Sequence, residues 1–138
     1  MKDEYSYLHI AKKDLQAAKA MLKAEMYNHS ARLCQQYVEK CFKEGIDKKG
    51  NNKTYFGLMQ THRVQRLAVV CSEIFDIQFT GKEKSFFRVL TSLYFDTNYP
   101  GDDYVEVTRE EAEEIFEQTL KFQEDYEHIL AGKENGEE

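Results

Sequence analysis

The chain holds 138 residues at a net charge of −6, with 41% hydrophobic and 13% aromatic residues. That size suits one domain whose core closes without disulfides or a structural metal, and a 32% charged share with a single proline favours helices over loops or disorder. Apolar runs such as Leu67 to Cys71 are far too short to span a bilayer, and Met1-Lys2-Asp3-Glu4 lacks the apolar stretch of a secretion signal, so a cytoplasmic location is expected.

Charge is unevenly spread. Residues 1–100 carry 16 Lys and Arg against 11 Asp and Glu, whereas residues 101–138 carry 3 against 14. A basic body could attract phosphate, and an acidic last helix lying on it would neutralise part of that field. The plainer alternative is a set of solvated helix faces of opposite sign.

Between Tyr7 and Lys23 the residues Leu8, Ala11, Leu15, Ala18 and Leu22 recur at intervals of 3, 4, 3 and 4, one stripe of a helix, with lysines on its other face. Met26 and Tyr27 are expected to make a short turn. Ala31, Cys34, Val38 and Cys41 then repeat the beat up to Gly45, which predicts a second helix that starts after Asn28 or Ser30 and is capped by that glycine. Asp47 to Lys53 is polar, contains Gly50 and has no period, so it reads as an exposed loop.

Thr61 is the expected N-cap of a third helix striped by Val64, Leu67, Cys71 and Ile74. Ile74 to Thr80 is a short connector of β-compatible composition. Thr80 with Glu83 fits a capping box ahead of a helix buried through Phe86, Leu90, Leu93 and Thr97, and Pro100 stops that helix. Thr108 with Glu111 makes a second box. Ala112, Ile115, Thr119, Phe122, Tyr126 and Ile129 then carry a last helix to Leu130, about 33 Å long.

Five helices with mostly short links predict an all-α fold: an antiparallel up-and-down four-helix bundle with one additional short or appended helix. The bundle is expected over residues 1–130, followed by a flexible acidic tail over 131–138.

Cys34, Cys41 and Cys71 form no CxxC pair. The first two lie seven residues apart on one helix, about 10 Å and beyond disulfide reach, so all three are expected to be reduced core residues. His9, His29, His62 and His128 are scattered without metal-ligand spacing, and neither a metal nor a cofactor is expected.

Five stretches also resemble a known family. They are Ala11-Lys12-Lys13-Asp14-Leu15-Gln16-Ala17-Ala18; the glutamine-rich Ala31-Arg32-Leu33-Cys34-Gln35-Gln36-Tyr37-Val38-Glu39-Lys40-Cys41-Phe42-Lys43 with its Q-x-x-E-K pattern; and Thr61-His62, followed later by Leu93-Tyr94 and Asn98-Tyr99-Pro100. In this order and spacing they are similar to the HEPN domain, a helical module found in prokaryotic toxins, beside minimal nucleotidyltransferases and in larger eukaryotic proteins. The resemblance covers nearly the whole chain. It implies a homodimer with a nucleotide or RNA groove near the dimer axis, and a possible nucleotidyltransferase partner.

Catalytic members of that superfamily resemble metal-independent ribonucleases with an Arg-x(4–6)-His motif. The chemistry is intelligible, since a histidine can move the proton of a ribose 2′-hydroxyl while an arginine holds the phosphate. None of Arg32, Arg63, Arg66, Arg88 and Arg109 has a histidine five to seven residues on, and Asn98 stands where the family often has an arginine before Tyr-Pro. Asparagine brings neither charge nor a bidentate fork. The expectation is therefore a non-catalytic nucleotide- or RNA-binding or protein-interaction module, with a ribonuclease toxin of a toxin–antitoxin pair as the alternative.

The candidate ligand-binding residues fall in three groups. Tyr94 and Tyr99 could stack on a base while Asp96 and Asn98 meet an edge or a phosphate; otherwise the segment simply closes the core at a helix end. Gln35, Gln36, Glu39, Lys40 and Lys43 could form a polar stripe facing a groove or a partner, or could be ordinary i,i+4 pairs on an exposed helix, Gln36 with Lys40 and Glu39 with Lys43. His62 with Arg63 and Arg66, near a helix start, could form a small anion site beside the free amides there or merely decorate that terminus.

Overall fold

A computed structural model describes residues 6–49, 54–97, 101 and 104–132. Among these residues the secondary structure is helical with no strand: α1 (Tyr7–Lys23), α2 (Tyr27–Lys49), α3 (Phe56–Met59), α4 (Val64–Phe75), α5 (Gly81–Asp96) and α6 (Arg109–Leu130). The four long helices α1, α2, α5 and α6 alternate in direction. The α1 start meets the α2 end through Leu8 and Glu44, the α5 start meets the α6 end through Glu83 and Tyr126, and Arg109 at the α6 start reaches Glu25 and Tyr27 beside the α2 start. The appended helix is α4, and α3 is a single turn that the sequence pattern does not announce.

Helix α2 is the central rod, packed against α1, α4, α5 and α6. Its Phe42 ring meets Phe79, Phe87 and Phe122 edge to face at centroid distances of 6.0, 5.4 and 5.3 Å, an arrangement that aromatic quadrupoles favour. The predicted stripe residues Leu15, Val38, Leu90 and Phe122 are all buried. Tyr37 is buried beside them and donates its hydroxyl to Glu127 at 2.9 Å, so its one polar atom is satisfied.

Both predicted capping boxes form. Thr80 Oγ1 accepts from the Glu83 amide while the Thr80 amide donates to Glu83 Oε1, and Thr108 and Glu111 do the same at the start of α6. Cys34, Cys41 and Cys71 are buried free thiols.

The structure corrects four boundaries. The turn after α1 is made by Ala24 to Met26, with Glu25 in the left-handed region at φ 62°, and α2 already begins at Tyr27. Asn28 lies inside α2, where its side chain donates to the Val105 carbonyl at 3.0 Å and accepts from the Val107 amide, tethering the segment before α6. Ser30 is buried and donates to the Ala18 carbonyl.

Gly45 is not a C-cap, because α2 continues through Asp47 to Lys49. An added Cβ there would stand 2.8 Å from Phe75 and 3.1 Å from Leu130, so the glycine serves the close packing of α2 on α4 and α6. The cap of α4 is Arg63 rather than Thr61, whose hydroxyl accepts from the Arg63 amide just before the helix. Ile74 and Phe75 finish α4, and Asp76 closes it in the left-handed region at φ 53°. The expected loop residues 50–53 and the tail residues 133–138 lie outside the described residues.

Candidate functional site

Spacing along α2 puts Gln35, Glu39 and Lys43 on one face at i, i+4 and i+8. Because α2 is central, that face is covered: Gln35 is fully buried, Glu39 is 5% exposed and Lys43 6%. Lys43 Nζ donates to Glu39 Oε2 at 3.0 Å, and Gln35 Nε2 donates to Glu39 Oε1 at 2.8 Å and to the His62 carbonyl at 3.2 Å. A buried carboxylate is tolerated when a counter-ion and hydrogen bonds occupy its lone pairs. Here a lysine and an amide from its own helix do so.

His62 supplies a third contact. Its Nδ1 lies 3.1 Å from Glu39 Oε1, and a carboxylate that already accepts from Lys43 fixes Nδ1–H as the donor. The ring is therefore oriented from behind, while its side chain stays 46% exposed. Its face stacks on Tyr94 of α5, with centroids 4.5 Å apart and planes 18° from parallel. Arg63, the next residue, holds its guanidinium 5.0 Å over the Phe95 ring, and Tyr94 meets Phe95 edge on. A half-exposed imidazole, two rings and a cation thus share one corner where the α4 start meets the α5 end.

The remaining candidates are distributed differently. Lys40 lies on the neighbouring face of α2 and forms an ion pair with Asp14 of α1, while Gln36 Oε1 sits at 3.5 Å, the outer limit of a hydrogen bond. These two residues belong to the α1–α2 seam rather than to the His62 corner. Asp96 is half-buried, and its carbonyl accepts from the Val105 amide. Asn98 and Tyr99 lie outside the described residues.

Of the residues that build the corner, Phe95 is the one that the sequence does not single out. Gln35 and Glu39 look in sequence like the polar face of an exposed helix, and only their position on the central rod buries them. Phe95 next to Tyr94 was a readable signal, since an aromatic pair at a helix end is more than one core stripe needs. Asp14, the anchor of Lys40, sits among lysines that look fully solvated. No group of three or more His, Cys, Asp and Glu residues is placed to hold a metal among the described residues, and none of their helices is long and apolar enough to cross a membrane.

A family model described as HEPN domain matches residues 5–129. No curated protein and no solved structure matches the chain.

Proposed function

Because the chain belongs to the HEPN domain family, we propose that it is a non-catalytic nucleotide- or RNA-binding and protein-interaction module. In this reading it works in the cytoplasm as a homodimer, with a nucleotidyltransferase as a further partner. The single observation that carries the ligand proposal is the corner at which Arg63 stands over Phe95 and His62 stacks on Tyr94. A base can stack on an aromatic face whatever its sequence, and a guanidinium beside that face can take the phosphate in a charge-assisted pair. Phe95 is 37% exposed and Arg63 is exposed, so both are reachable. Asn98, in place of the family's frequent arginine, makes Arg63 the cation on which the grip depends.

Calorimetric titration with adenosine nucleotides and with a short single-stranded RNA tests this. Binding should weaken with salt and fall about tenfold in Arg63→Ala, equivalent to about 1.4 kcal/mol. Absence of heat for every nucleotide and for RNA would contradict it.

One observation favours a second reading, a metal-independent ribonuclease toxin with a non-standard site. Glu39 holds Nδ1–H of His62, which leaves Nε2 as a base for a ribose 2′-hydroxyl, with Arg63 beside it to hold the phosphate. Purified protein that cleaves RNA in the presence of a chelator, with cleavage lost in His62→Ala, would select this reading. Bound RNA recovered intact selects the first.

A further inference from the structure

Helices α5 and α6 both pack on α2, but their backbones have at most passing contact with each other. Between them runs an open groove of about 730 Å³, which shares no residue with the His62 corner. Its apolar lining is the buried rings of Phe86, Phe87 and Phe122 together with the 41% exposed Leu120. Its α6 wall carries Glu114, Glu117, Glu124 and Asp125. Lysines enter at only two places, Lys82 and Lys121, and Lys121 is already paired with Asp125 at 3.4 Å.

We infer that this groove docks a cationic amphipathic helix of a partner protein. An apolar floor between two helices is the shape that receives the apolar stripe of a third, and the acidic wall selects Lys or Arg flanking that stripe. Nucleic acid is repelled by the same wall. Helix α1 of a second copy, although lysine-rich, does not fit, because it has already buried the stripe Ala11, Leu15 and Ala18.

The probe is a fluorescein-labelled 18-residue Leu/Lys peptide with leucines at i, i+3, i+4 and i+7, compared with a peptide of the same composition in scrambled order. Fluorescence anisotropy with the full chain should show the patterned peptide binding at least tenfold more tightly than the scrambled one. Leu120→Asp, and separately the pair Glu117→Lys with Glu124→Lys, should each weaken binding at least tenfold. Circular dichroism should stay unchanged because all three positions are exposed, and RNA affinity should also stay unchanged in Leu120→Asp. Equal binding of the two peptides, affinity indifferent to both variants, or no binding would overturn the inference. So would sedimentation showing that Leu120→Asp dissolves a dimer, because a second copy would then occupy the groove.

Discussion

Glu39 is the residue on which the site turns, since it receives Lys43, Gln35 and His62 at once. Removing one member of a buried ion pair costs about 3 kcal/mol, because the charge left behind has lost its partner without regaining water. Lys43→Met should therefore lower the unfolding free energy by about that amount in urea titration. A loss under about 1 kcal/mol would mean that Gln35 and His62 satisfy the carboxylate unaided. The Glu39–Lys43 pair is legible as i,i+4 pairing, but its burial is not, because burial depends on which helices surround α2. Gly45 shows the same limit: a glycine after a helical stripe reads as a stop, and only the approach of Phe75 and Leu130 shows why one stands inside the helix.

At the scale of the element, local chemistry decided what the sequence could reveal. A capping box is closed by residues three apart, so Thr80–Glu83 and Thr108–Glu111 could be read without tertiary information. The three-four stripes of α1, α4, α5 and α6 were readable for the same reason. The start of α2 was not, because Asn28 and Ser30, both good cap residues, are used for long-range bonds to Val105, Val107 and Ala18. Nor was α3, a single turn too short to show a period. Thr108→Ala should cost about 1 kcal/mol of stability, measured by denaturant unfolding, since it leaves the Glu111 amide without its acceptor. An unchanged midpoint would show that α6 is held by packing alone.

Across the whole molecule, the buried thiols set a pH limit. Burial pushes Cys34 and Cys71 up to about 12 and raises Cys41 as well. Unfolded thiols ionise near pH 8.5, so above that value the folded state holds more protons than the unfolded state and stability falls as pH rises. Unfolding free energy should hold up to about pH 8.5 and then decline toward pH 12 by about 1.4 kcal/mol per pH unit for each retained proton. Stability constant to pH 10.5 would contradict this.

The nucleotide is expected at the His62 corner rather than on the basic body at large. The chain has four histidines, and His9, His29 and His128 stand on α1, at the start of α2 and near the end of α6. Imidazole-selective proton–carbon NMR during titration with a short single-stranded RNA therefore tests this directly. The His62 resonances should move and saturate with the other three still, and that movement should vanish in Tyr94→Ala; RNA binding that leaves His62 unmoved, or shifts all four alike, would contradict the account.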